Sequence, residues 1–182
     1  MKPSLVIAGL GNPGASYENT RHNAGFLAID ALSEAFGQGD WKDAQKFASV
    51  SQEARIVAAP VLLLKPQKYM NLSGEALHKV VDFYKLDAKT QILVLSDDID
   101  IPLGELRFRK SGGPGTHNGL KSIVEQFGED FPRLRIGIGP KGAGDLATWV
   151  LSTFTPEERT LLSATVKKIP EMVKEYVMES AK

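Results

Sequence analysis

Leu5-Val6-Ile7-Ala8-Gly9-Leu10-Gly11-Asn12-Pro13-Gly14 is the stretch on which the fold turns. Four apolar residues that stop at glycine read as a strand buried on both faces. The glycines that follow match G-x-G-x-x-G, which after a strand suggests a dinucleotide held on the first amides of a helix. The context argues against that reading. Pro13 has no amide, and nine residues, Ala15 to Asn23, separate Gly14 from the next helical pattern. The fingerprint also needs a strand ending in an acid further on, and Gln38 to Phe47 offers none. A tight turn that uses glycine's backbone freedom explains the glycines. It does not explain Asn12.

The same kind of apolar strand recurs at Val61–Leu64 and Ile92–Leu95, and Arg133–Ile138 reads as a further strand. Phe47 to Val57 alternates enough for one or two strands with an exposed face, and Glu105–Arg109 reads as a short polar strand. Helical spacing appears between them. Ala24–Phe36 is one helix, stopped by Gly37. Ala76, Leu77, Val80, Val81 and Tyr84 share the face of a second, and Leu120–Phe127 is a third. Thr155–Ala181 reads as one long C-terminal helix, opened by Thr155, Pro156 and Glu158 and kinked at Pro170. Alternating strands and helices predict a single α/β domain over residues 1–182, with a twisted, mostly parallel (mixed) sheet and helices on both faces. Ligands in such folds gather beyond the carboxyl ends of the strands. The loops after Ala8, Leu64, Leu95 and Ile138 are expected at one rim.

Composition excludes several classes. Lys plus Arg is 22 and Asp plus Glu is 22, so the chain is not a strongly basic nucleic-acid binder, and any RNA contact must come from a local patch. There is no cysteine, which removes disulfides and thiolate metal sites. No apolar run approaches the roughly 20 residues that span a bilayer. Met1 to Leu10 has no signal-peptide pattern. A cytoplasmic location is expected.

Polar residues crowd the predicted rim. His22, in Thr20-Arg21-His22-Asn23, is placed to act as a general base near neutral pH. Asn23 reads as the N-cap of the first helix, with no catalytic role. Ser96-Asp97-Asp98-Ile99-Asp100 ends the third apolar strand, where one carboxylate could orient a histidine; Asp98 and Asp100 read as turn caps. Asn71, beside Met70, is equally an N-cap or a substrate-binding amide. Ser111–Gly119 is a flexible glycine loop that lacks a P-loop lysine. Arg107, Arg109, Lys110 and Lys121 flank it, and Arg133, Arg135 and Lys141 lie beyond, so a phosphate-facing patch is expected there.

Five segments stand together in order: G-L-G-N-P-G with Tyr17 and T-R-H-N-A-G; K-P-Q-K-Y-M-N-L-S-G; D-D-I-D-I-P-L-G; G-G-P-G-T-H-N-G-L-K; and R-L-R-I-G-I-G. In that register the chain resembles the bacterial peptidyl-tRNA hydrolases from about Leu5 to about Thr155. The resemblance implies a monomeric, metal-independent enzyme without a cofactor, which cleaves the ester between peptide and tRNA. It implies His22 as the base that activates water and Asp97 as its orienting acid. Asn12, Asn71 and Asn118 are then expected to line the cleft, Tyr17 and Met70 to wall it, and His117 to adjoin the loop. Arg107, Arg109 and Arg135 match positions that face tRNA phosphates. Two departures stand out: Ser111, Pro114 and Thr116 interrupt the family's glycine loop, and Pro140-Lys141-Gly142 replaces a usual His-Pro-Gly. The same resemblance admits an alternative, a non-catalytic RNA-binding relative of the splicing-factor type.

Overall fold

The computed structural model describes all 182 residues. Its seven strands are β1 (Leu5–Gly9), β2 (Gly37–Ala44), β3 (Ser49–Ile56), β4 (Ala59–Pro66), β5 (Ile92–Pro102), β6 (Leu106–Arg109) and β7 (Arg133–Gly139). They form one sheet in the order β2-β3-β4-β1-β5-β7-β6. The centre, β4-β1-β5-β7, is parallel, with Ile7 beside Leu63 and Ala8 beside Val94. The edges are antiparallel: β2 and β3 on one side, β6 on the other.

The helices are α1 (Ala24–Phe36), α2 (Ser73–Tyr84), α3 (Asn118–Phe127), α4 (Leu146–Val150), α5 (Pro156–Val166) and α6 (Ile169–Ser180). Successive strand residues point to opposite faces, so each central strand feeds two cores. Ile7, Leu63, Leu93, Leu95, Leu134 and Ile136 pack with α1, α5 and α6. Val6, Ala8, Leu62, Leu64, Ile92 and Val94 pack with α2 and α3. This two-sided burial is why these strands read as continuous apolar runs. The mixed α/β reading holds.

Three local expectations change. The C-terminal segment is two helices, α5 and α6, broken at Lys167–Lys168. Pro170 lacks the amide an uninterrupted helix needs there and instead sits in the first turn of α6. Gly37 does stop α1, but the chain then runs directly into β2, an edge strand; its mostly exposed polar sequence carries no buried period. β5 continues past Leu95 through the acidic cluster to Pro102, with an irregularity after Asp98. The predicted capping box at Thr155 is present, with Glu158 returning to the Thr155 amide.

The glycine motif after β1 has a reason other than the expected backbone freedom. Only Gly14 has a positive φ among its glycines. A Cβ on Gly9 would lie 2.3 Å from the Gly25 carbonyl oxygen, and one on Gly11 would lie 2.7 Å from the Phe26 ring. The glycines let α1 close onto β1. The chain after β1 turns to the α1 face, while the chain after β4 turns to α2 on the other face. The chain therefore leaves these two neighbouring strands toward opposite faces of the sheet.

Candidate active site

His22 lies in a short 3-10 turn, Arg21–Asn23, that leads into α1. Asp97 projects from β5 beside it. His22 Nδ1 is 2.8 Å from Asp97 Oδ2, and both residues are buried, at 7% and 3% exposure. The other carboxylate oxygen is taken as well. His117 Nε2 is 2.8 Å from Asp97 Oδ1, and the two imidazole centroids are 4.7 Å apart. One carboxylate thus serves two histidines.

Hydrogen bonding assigns the protons. His117 is the N-cap of α3, and its Nδ1 accepts the Gly119 and Leu120 amides at 3.1 and 3.2 Å. That nitrogen is unprotonated, so Nε2–H donates to Asp97. An ionised carboxylate only accepts, so His22 also donates, through Nδ1–H. Its Nε2 lone pair is left free. Burial opposes charge on Asp97, but attraction and hydrogen bonds from His117 and His22 outweigh it and hold the carboxyl well below the usual range. Burial likewise lowers the pKa of His22, yet the Asp97 charge and hydrogen bond reverse this, and the net shift is upward from 6.5. Donor atoms of His22, Asp97 and His117 all lie within 4.8 Å of one another, a set that could hold a cation. A cation there would have to displace both shared protons.

Asn12 lies in the loop after β1. Its Oδ1 accepts the Met70 amide at 2.8 Å and thereby ties the loop after β1 to the loop after β4. The bonded Oδ1 fixes the orientation of the amide. The Asn23 side chain brackets Asn12 from behind: Oδ1 accepts the Asn12 amide, and Nδ2 donates to the Asn12 carbonyl, both at 2.9 Å. The expectation for Asn23 is therefore corrected. It occupies the N-cap position of α1 but caps nothing, because its side chain is engaged on Asn12. Asn71 is not an N-cap either. It lies exposed in a 3-10 turn, Met70–Leu72, ahead of α2.

A cleft of about 180 Å³ opens over the two histidines and Asp97, lined also by Asn118, the glycine loop, Arg109, Arg133 and Arg135, with Leu146, Ala147 and Val150 of α4 along one wall. Of the residues predicted from sequence, the fold thus gathers both histidines, Asp97, Asn118 and two arginines on one cavity. Asn12, Tyr17, Met70 and Asn71 do not line it. Asn12 is connected to it through Asn23, the residue after His22, and Met70 is bonded to Asn12. The Tyr17 ring meets that of Tyr69 edge-on at 6.2 Å.

A family model described as peptidyl-tRNA hydrolase matches residues 6–182. The chain belongs to the peptidyl-tRNA hydrolase family. It is 48% identical to a peptidyl-tRNA hydrolase of Carboxydothermus hydrogenoformans, over 93% of this chain and 89% of that one. It is 46% identical to that of Chloroflexus aggregans, over 96% and 93%. Among solved structures, the peptidyl-tRNA hydrolase of Acinetobacter baumannii superposes with a TM-score of 0.87 at 36% identity, covering 99% of this chain and 93% of that one.

In this member of the peptidyl-tRNA hydrolase family, the basic patch is an ordered grid. Arg107 pairs with Arg135 and Arg109 with Arg133 across β6 and β7, so all four project from one face. They are not equivalent. Arg133 is fully buried, and its guanidinium donates to the carbonyls of Gly112, Gly113, Glu129 and Phe131. Burial, then the charges of Arg109 and Arg135, pull its pKa down to about 10. Arg133 therefore holds the glycine loop from beneath. Gly112, at φ 144, leaves the space in which the Arg109 guanidinium lies; a Cβ there would be 2.1 Å from Arg109 Cζ. Arg135 faces the cleft, 3.6 Å from Asp98. Arg107 is outside the cleft and pairs with Glu105 at 2.6 Å. Lys141 bonds to the carbonyls of Gly142 and Gly144. Asp98 caps a turn as expected, accepting the Asp100 amide.

The sequence alone had pointed to neither Tyr69 nor the α4 wall, and it had assigned Arg21 and Asn23 no part in the site. Arg21 and Asn23, on either side of His22, carried the one signal available, their place in T-R-H-N-A-G.

Proposed function

We propose that this chain hydrolyses the ester between a peptidyl group and the 3′ end of tRNA, with His22 as general base. The observation that carries this reading is the protonation pattern on Asp97: both carboxylate oxygens accept, so His22 is held in the tautomer whose Nε2 is free. Water attacks the ester carbonyl while Nε2 takes its proton. Asp97 stabilises the resulting imidazolium. The tetrahedral intermediate then collapses, and the ribose oxygen leaves with the proton from Nε2. The products are tRNA with a free terminal hydroxyl and a peptide carboxylic acid, which ionises to the carboxylate by releasing a proton to solvent. An ester has a good leaving group, so no serine or cysteine nucleophile is required.

Amide donors meet the developing oxyanion. Asn12 suits this, because Met70 fixes its Oδ1 and leaves Nδ2 with no protein acceptor. Asn118 lines the cleft beside His117, and Asn71 is exposed in the turn before α2. Met70 positions Asn12, and the Tyr17–Tyr69 pair offers an apolar platform for the acyl group. For the RNA, Arg109 and Arg135 in the cleft and Arg107 outside it face phosphates. The buried Nε atoms of Arg133 and Arg135 have no acceptor in the protein, which marks this floor as suited to an anion. No helix is long and apolar enough to cross a membrane.

Hydrolysis of an N-acetylated aminoacyl-tRNA tests the reading. The wild type should turn it over, and His22→Ala should lose on the order of 10² to 10⁴ in kcat. An undiminished variant would overturn the role of His22. A wild type that binds tRNA tightly but cleaves nothing would favour the non-catalytic RNA-binding alternative.

A further inference from the structure

Arg21 precedes His22 in sequence, yet its side chain points away from the cleft. It is 3% exposed and turns toward the segment between α4 and α5. Its guanidinium grips Glu158 with two bonds, Nη1 to Oε2 at 2.7 Å and Nη2 to Oε1 at 3.0 Å. Nε donates to Ser152 Oγ at 2.9 Å, and Nη2 also reaches the Thr153 carbonyl at 3.3 Å. The guanidinium plane lies over the Trp149 ring at 3.9 Å and near the Phe154 ring at 4.9 Å. The backbone repeats the attachment: the Arg21 amide donates to the Ser152 carbonyl, and Thr20 bridges Thr153. Arg21 thus meets the chain from Trp149 to Glu158 at five residues.

That chain includes the end of α4, whose Leu146, Ala147 and Val150 wall the cleft. Glu158 is shared as well: Oε1 also accepts the Thr155 amide that starts α5. One carboxylate therefore fixes the start of α5 and the turn that carries His22. The bonds from Arg21 are the main reason the Glu158 carboxyl sits down at about 2. A lone charge would not remain in this place; a forked, stacked guanidinium with matched acceptors does.

We propose that Arg21 and Glu158 form a positioning clamp that sets His22 at its working distance from the α4 wall. The inference rests on the hydrolase reading above. His22 has one covalent neighbour on each side. Asn23 is fixed to Asn12, and Arg21 is fixed to Glu158, so the histidine backbone is tied on one side to the loop after β1 and on the other to the segment that follows the α4 wall. Lysine in place of Arg21 keeps the charge but loses the fork and the stacking. A shift of about 1 Å in a general base can lower turnover on the order of 100-fold.

The test combines kinetics with a spectroscopic readout on folded protein. Arg21→Lys and Glu158→Gln should each lower kcat at least about 10-fold with KM changed less than about 3-fold. The double variant should be no worse than the poorer single one, because each breaks the same clamp. The downfield proton resonance of His22 Nδ1–H should shift in both single variants. Glu157→Gln, an equal charge change outside the clamp, should match the wild type. Should Arg21→Lys not fold, Ser152→Ala removes the hydroxyl that accepts from Arg21 Nε and donates to the Trp149 carbonyl, and should lower kcat by roughly 3- to 10-fold. Variants that lose thermal stability but keep wild-type kcat and the wild-type resonance would overturn the clamp. A wild type without hydrolase activity would refute the functional reading instead, and the resonance would still report on the clamp.

Discussion

Asparagine in place of Asp97 tests the proton arrangement at its most sensitive point. The side chain is nearly isosteric, so the site keeps its shape, but one accepting oxygen becomes an NH₂ donor. The structure decides which one. His117 Nδ1 is held by two backbone amides, so its Nε2–H must have an acceptor. The asparagine oxygen therefore faces His117, and its NH₂ faces His22. His22 Nδ1 must then accept, and the ring proton moves to Nε2. The base is lost without any residue leaving the site. Recovering the working tautomer means turning the amide, which sets NH₂ against the His117 N–H and leaves two buried donors without acceptors. At about 1–3 kcal/mol each, the penalty is about 2–6 kcal/mol, or roughly 30-fold to on the order of 10⁴-fold in population. Loss of the negative charge beside the imidazolium adds to this. The expected fall in kcat/KM is on the order of 10³ to 10⁴, in line with the same exchange in a hydrolase triad. Single-turnover cleavage of N-acetyl-aminoacyl-tRNA measures the rate, and ¹⁵N chemical shifts of the imidazole report the tautomer. With His117→Ala added, the amide is free to turn, and part of the lost activity should return. A loss below about 10-fold, a retained Nδ1–H in Asp97→Asn, or a double variant no better than the single one would refute the reasoning.

Other expectations follow from the same contacts. His22 must be unprotonated to act, and Asp97 raises its pKa, so the acidic limb of kcat/KM should have its midpoint above 6.5; a midpoint below that value would mean that burial outweighs the carboxylate. Asn23→Ala removes both bonds to Asn12 and leaves a buried amide and carbonyl unpaired, so urea denaturation should show a loss of about 2–4 kcal/mol, with reduced turnover as Asn12 shifts. An effect within about 0.5 kcal/mol would show the bracket to be idle. Arg109→Glu should weaken tRNA binding and lower the slope of log K against log salt by about one; an unchanged slope would place the phosphates elsewhere.

The sequence by itself determined the layered α/β class, because strands buried on both faces cannot hide their apolar runs. It also marked much of the rim, since polar residues follow the apolar runs of β1, β4 and β5. His22 and Asp97 were legible as a pair through chemistry and through the joint register of the five motifs. Local signals at Thr155, Pro156 and Glu158 were equally plain, because a capping box is written in adjacent residues. What the chain could not show by itself were contacts between segments far apart in sequence. Asn23 looked like a helix cap, and only the approach of the β1 loop turned its side chain onto Asn12. Arg133 looked like one more surface cation, and only the pairing of β6 with β7 buried it beneath the glycine loop. The exposed β2 had no period to reveal it, and the break before α6 depended on where Pro170 fell against the core. The proton on His22 was set by tertiary structure in the same way. It depends on His117, 95 residues away in the chain, whose own proton is fixed by the first turn of α3.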